Sequence, residues 1–286
     1  MRTPPRAGIG QLTYHAGPHN AAMGIEDHLA SGRRALASGQ WDQARAAFEA
    51  ALALEQCPEA LDGLGAVSWW LGEPVRSNEL RQQAYALFRR AGDAQCAVTA
   101  ALDIAVTYES NFGNGPAANG WVARAERLLR GDDDPLAPWV WCIRAYVTHD
   151  LTAAINLYER AIDAARASGD IDLELCSLSG MGEKLVLSGD VEAGLALVDE
   201  AMAGTLGGEY RRLDTVVYAC CDMLVACDLA NDLQRAARWC QVADQFIRDY
   251  GCPFLYARCR TIYGGLLVTT GRWAEGEREL LIAIAM

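Results

Sequence analysis

Three stretches of this chain place small and large residues at the same spacings. The first holds Gly32, Gly39, Ala44, Phe48 and Ala51. The second holds Gly182, Gly189, Gly194, Val198 and Ala201, and the third Gly264, Gly271, Gly276, Leu280 and Ala283. Looser copies of the second half lie between them, at Ala84-Phe88-Ala91, Ala154-Tyr158-Ala161 and Ala236-Cys240-Ala243. A small residue early in the unit (Gly32, Gly65, Gly182, Gly264) lets a neighbouring helix approach. A glycine seven residues later (Gly39, Gly72, Gly189, Gly271) supplies the backbone freedom of a helix C-terminus. Alanine, a large apolar residue and alanine at i, i+4 and i+7 then form one packing stripe on a second helix. A single helix pair cannot bury that stripe, so successive pairs stack. The expected fold is all-α: a right-handed superhelical solenoid of about seven antiparallel helix pairs, the last truncated, over residues 25–286 behind a flexible segment 1–24.

The segment "NFGNGPAANGW", Asn111 to Trp121, looks at first like a phosphate-cradling loop. A P-loop needs GxxxxGK[ST] after a strand; here Gly120 precedes Trp121, and a helical pattern comes before the glycines. Pro116 suits the first turn of a helix, so the segment is a bend between two helices. His15 and His19 have the spacing of a zinc pair, but glycine and proline stand between them. "RGDDDP" lacks the alternating ligands of a calcium loop, and Gly131 ending one helix with Asp134 capping the next explains it. The ten cysteines form no CxxC pair and fall mostly in helical patterns, as reduced, packed thiols do. No cofactor is expected, and no Ser-His-Asp, Cys-His or metal constellation can be assembled from spacing.

Charge narrows the partners. The net charge is −12, and Arg33-Arg34, Arg89-Arg90 and Arg211-Arg212 are isolated pairs rather than a stripe. Such a chain repels a phosphate backbone, so no nucleic-acid partner is expected. No apolar run approaches the roughly 20 residues of a membrane helix, and the start of the chain has no apolar core of a secretory signal, so a cytoplasmic location is expected.

The small, aromatic and alanine positions quoted above resemble the tetratricopeptide repeat. The chain departs from it in length: 33 residues separate Gly39 from Gly72, but 82 separate Gly189 from Gly271 across two units, against roughly 34 per standard repeat. Carried over residue by residue, the resemblance implies a concave groove lined by Trp69, Asp103, Trp139, Tyr146, Glu183, Tyr218 and Asp228. That lining is aromatic and acidic, suited to a protein or peptide partner, or to a cationic, partly apolar small ligand. Carboxylate-clamp repeats use lysine, arginine and asparagine, and the single lysine here argues against that mode.

The segments Glu59–Pro74, Ala84–Asp93 and Ala118–Leu129 resemble the helical-repeat region of bacterial LuxR-type regulators. That resemblance implies a non-catalytic sensing portion whose DNA-binding helix-turn-helix is not in this chain. The alternative is a free-standing adaptor that holds partner proteins; an enzyme using the acidic groove is a distant third. The apolar end "LLIAIAM" further predicts self-association through the C-terminal repeat.

Overall fold

The computed structural model describes residues 24–285, so the segment before residue 24, with His15 and His19, lies outside the described residues. Fourteen helices follow one another: α1 (Ile25–Ala37), α2 (Trp41–Leu54), α3 (Pro58–Trp70), α4 (Pro74–Ala91), α5 (Ala94–Ser110), α6 (Gly115–Glu126) and α7 (Ala137–Val147). Then come α8 (Leu151–Ser168), α9 (Ile171–Ser188), α10 (Val191–Leu206), α11 (Leu213–Leu229), α12 (Leu233–Tyr250), α13 (Ala257–Thr269) and α14 (Trp273–Ala285). They pack as seven consecutive pairs, each also touching the next, and the described residues contain no strand. The fold is an all-α solenoid, and the seventh pair has both of its helices.

The small residues do what their spacing implies. A Cβ added at Gly182 of α9 would lie 2.7 Å from the Gly194 carbonyl oxygen of α10, and one at Gly194 would lie 2.6 Å from the Gly182 carbonyl. Here two backbones touch, and any larger side chain would separate them. The Phe48 ring of α2 fills the space between Gly32 of α1 and Gly63 of α3, and Tyr158 of α8 lies against Gly180 of α9. Both rings are buried. Turn residues Gly39, Gly72, Gly189 and Gly271 have positive φ, and Asn231 takes the same left-handed conformation after α11. Seven residues before Asn231 stands Leu224, where Gly182 and Gly264 precede their own turns. Leucine stands there where those units have glycine, and α12 stands off from α11 more than any other second helix from its first.

One expectation needs correction. In the second unit the pattern is not Ala84-Phe88-Ala91. Gly65 faces Arg81 and the Ser77 carbonyl, as Gly182 faces Val198 and Gly264 faces Leu280. The equivalent stripe is therefore Ser77-Arg81-Ala84, with arginine in the packing position; Ala91 is exposed. Trp273, which follows its turn glycine by two residues as Trp41 does, is 71% exposed. Its counterpart Trp41 stacks on Trp70 of the following unit at 4.5 Å between ring centroids, and the described chain has no unit after α14 to do the same.

The segment at Asn111 is a bend. Gly113 has φ 58°, Asn114 accepts a hydrogen bond from the Ala117 N–H, and Pro116 lies in the first turn of α6. Asp134 likewise accepts from the N–H groups of Arg130 and Leu136. All ten cysteines are free thiols.

The coil turns back on itself. Gly39 lies against the Tyr250 ring at the end of α12, and Trp69 approaches Tyr218 of α11 and Tyr256, just before α13, at 6.2 and 6.4 Å. One apolar cluster joins Trp41, Trp69 and Trp70 to residues of α11–α13. The concave side is thereby narrowed to a partly covered interior.

Candidate ligand-binding interior

The first helix of each pair lines this interior at helical spacing. α3 contributes Asp62, Ala66 and Trp69, α5 contributes Thr99, Asp103 and Val106, and α7 contributes Trp139, Ile143 and Tyr146. Glu183 comes from α9, and Asp214, Tyr218, Asp222 and Val225 from α11. Positions three and four apart share one face of a helix, so each helix presents one stripe inward.

Three adjoining cavities result, and Tyr218 borders all of them. The largest, about 310 Å³, lies between Trp69, Trp70, Asp62, Asp103 and Tyr218. A small one of about 90 Å³ lies beside Trp139. A third, about 290 Å³, is bounded by Tyr146, Glu183, Asp222 and Tyr256. Of the residues expected in the groove, Trp69, Asp103, Trp139, Tyr146, Glu183 and Tyr218 border these cavities. Asp228 does not; it is half exposed and lies 3.9 Å from Arg258.

The interior is not simply acidic. Arg33, Arg81, Arg211 and Arg212 enter the largest cavity beside Asp62, Asp103 and Asp214. Arg81 reaches it from the far side of its pair, because it occupies the packing position of α4. It is 8% exposed and meets Asp103 at 3.2 Å, and its Nε has no hydrogen-bond partner. Arg211 and Arg212 come from the turn between α10 and α11. Buried Asp172 holds that turn by accepting from the N–H groups of both arginines and from the Thr215 hydroxyl, at 3.0, 3.1 and 2.7 Å. The Arg212 guanidinium pairs with Asp214 and lies 5.3 Å from the Trp139 ring centroid, while the Trp139 indole N–H donates to Asp170.

Burial and neighbouring charge set the protonation states. Desolvation raises the Asp62 carboxyl to about 6, against the pull of Arg81, and its Oδ1 has no hydrogen-bond partner. Burial pushes Asp214 up, but the Arg212 charge and hydrogen bond outweigh it and hold the carboxyl below its ordinary value. In the third cavity, burial and the Glu183 charge raise Asp222 to about 8, although Ser179 donates to it at 2.7 Å. Lys184, the chain's one lysine, is buried there, 3.9 Å from Glu183 and 5.9 Å from the Tyr146 ring centroid. The lysine that argued against an ionic grip is thus part of the interior.

Among the described residues, no group of three or more His, Cys, Asp or Glu side chains is placed to hold a metal, and no helix is long and apolar enough to cross a membrane. No family model matches the chain. No curated protein matches it either. Solved structures do. A Rap protein complexed with Competence and Sporulation Factor superposes with a TM-score of 0.66 at 11% identity, over 91% of this chain and 75% of that one. The Rap conjugation gene regulator of plasmid pLS20, in complex with the Phr* peptide, gives 0.62 at 11% identity, over 96% and 79%. This chain folds as they do. At such identity the likeness is one of fold.

Proposed function

We propose that this chain is a non-catalytic interaction module that holds a short peptide, or an exposed peptide segment of a protein partner, inside its coil. The observation that carries this reading is the run of three adjoining cavities around Tyr218, with aromatic walls and ionic groups fixed by neighbours. Rings supply contact area at low entropic cost, and buried charges orient a polar backbone. The Rap structures of the same fold were solved with a peptide and with Competence and Sporulation Factor, which supports the choice of a peptide over a nucleotide or sugar.

The LuxR-type resemblance would make the chain the sensing portion of a transcription regulator. Its segments owe their likeness to residues that pack helix on helix, such as Ala60, Leu64, Val67, Phe88, Ala118 and Val122, all buried. The adaptor reading therefore takes precedence. On the α14 face, Leu281 and Ile284 are exposed, and a second copy of the chain is the proposed cover.

The test incubates the full chain with a mixture of short random peptides and identifies those that co-elute, beside a Tyr218→Ala variant. Retention by the wild type and its loss in the variant are expected. Equal retention by both, or none by the wild type, overturns the reading.

A further inference from the structure

On the outer face of the coil, α4 and α6 are the second helices of adjoining pairs, and each turns a stripe toward the other. Tyr85 and Arg89 stand four residues apart on α4; Trp121 and Arg124 stand three apart on α6, with Arg127 three further at its end. These side chains line a surface groove of about 460 Å³. Tyr85 and Trp121 meet edge to face at 5.0 Å between ring centroids. The Arg124 guanidinium lies 5.0 Å from the Tyr85 centroid and 4.9 Å from that of Trp121, and its Nε donates to the Tyr85 hydroxyl at 3.3 Å. Its two terminal nitrogens have no hydrogen-bond partner among the described residues.

Arg89, Arg124 and Arg127 pair with no carboxylate among the described residues. Acids close in sequence are committed elsewhere: Glu126 to Arg144 at 2.9 Å, Asp132 to Arg160 at 3.6 Å and Asp134 to Arg130 at 3.5 Å. The residues before 24 contain neither Asp nor Glu. On a chain of net charge −12, three unneutralised guanidinium groups around one groove reverse the sign of the surface. The helix dipole favours arginine in a last turn and accounts for Arg89 and Arg124 singly. It does not require that arginines of two helices converge, or that one be held against two rings.

We infer that this groove is a docking surface for an acidic segment of a protein partner, whose Asp or Glu carboxylates are taken by Arg89, Arg124 and Arg127. A guanidinium offers parallel N–H donors that match a carboxylate two to two, and one already held against rings loses little freedom on pairing. Half-buried Trp121 adds apolar contact beside the charges. Charge complementarity selects the occupant. A chain of −12 repels an acidic segment over most of its surface, so the segment settles where the sign reverses. A nucleic acid needs a longer basic track than one groove provides. The surface lies apart from the interior and does not rest on the peptide reading.

The probe is a fluorescein-labelled hexapeptide of alternating Glu and Leu, titrated with the full chain and followed by anisotropy. Saturable binding that weakens as ionic strength rises is expected. Arg89→Gln with Arg127→Gln should weaken it about tenfold or more at a melting temperature close to that of the wild type, since both side chains are exposed. Arg124→Lys, which keeps the charge and loses the fork, should weaken it severalfold. Absence of binding, or binding that the arginine variants leave intact, overturns the inference and leaves the interior reading standing. Loss in Tyr218→Ala but not in the arginine variants places the probe in the interior and overturns it too. A single-stranded oligonucleotide that binds more tightly through the same arginines overturns the choice of a protein segment. Self-association that the arginine variants abolish overturns the choice of a separate partner.

Discussion

Arg81 joins the repeat to the site, and replacing it with methionine separates the two roles. Methionine is similar in reach and apolar, like Val198 and Leu280 at equivalent positions. At 3.2 Å and an effective dielectric constant of about 20, the attraction between Arg81 and Asp103 is about 5 kcal/mol. Desolvation of the guanidinium offsets much of it. Breaking one side of a buried pair typically costs about 3–5 kcal/mol, and the Asp103 side chain, 18% exposed, keeps enough water contact to favour the low end. Arg81→Met alone should therefore lose about 3 kcal/mol at pH 8 in urea unfolding. Adding Asp62→Asn and Asp103→Asn removes the stranded carboxylates, and the triple variant should match or exceed the wild type by about 1–4 kcal/mol. Peptide retention should fall in both. The pH dependence supplies a further signature. Asp62 titrates near 6 when folded, above its ordinary value of 3.8, so the native state holds the extra proton and stability falls as pH rises through that window. Arg81 holds that carboxyl down; without it the fall should extend to higher pH. Arg81→Met as stable as the wild type at pH 8 would refute the claim that the arginine holds those carboxylates in place.

Gly182→Ala should destabilise the chain in urea unfolding by about 1–3 kcal/mol through helix separation, outweighing a helix-propensity gain of up to about 1 kcal/mol. Gly120→Ala, which meets nothing within 4 Å in α6, should instead gain about 0.5–1 kcal/mol; equal effects would show that the close approach is misread. Asp222 titrates near 8 when folded and 3.8 ordinarily, so its contribution to stability falls as pH rises across that range. Asp222→Asn should melt about 2–4 °C or more above the wild type at pH 8, and the gap should narrow steadily as pH falls, closing only near pH 4. Leu281→Glu with Ile284→Glu should abolish concentration-dependent self-association in light scattering; a wild type that stays monomeric at every concentration removes the α14 face as an interface.

The helix pairs were legible because close backbone approach admits only glycine or alanine, and that demand recurs at fixed spacing. Gly182 facing Gly194 is such a constraint, written directly in residue types. Arg81 was missed for the converse reason. A charged residue in a packing position breaks the apolar stripe, and the next alanine-aromatic match, Ala84-Phe88, took its place. The offset from Gly72 to Arg81, equal to that from Gly39 to Phe48, was the available signal. Six groove residues could be placed from register because they share one face of their helices. Arg211, Arg212 and Tyr256 could not, since they stand on connecting segments outside the repeat. Nor does periodicity report that Trp69 would meet Tyr218 and Tyr256, a contact set by the accumulated rotation of every intervening pair.

That contact gives the coil a mechanical property. A helical-repeat array is compliant along its axis, since each unit is held only by its neighbours. Where two distant units also touch, the pitch of the spring is fixed by the strength of that touch. Trp69, Tyr218 and Tyr256 are both the clasp and the wall of the cavities, so a guest bound as proposed would act on the clasp itself. In an array held by nearest-neighbour contacts, small displacements there would sum through the units between into larger shifts of the outer helices. Under the proposed function, occupancy of the interior would be converted into a change of outline, legible to any molecule that grips the convex surface.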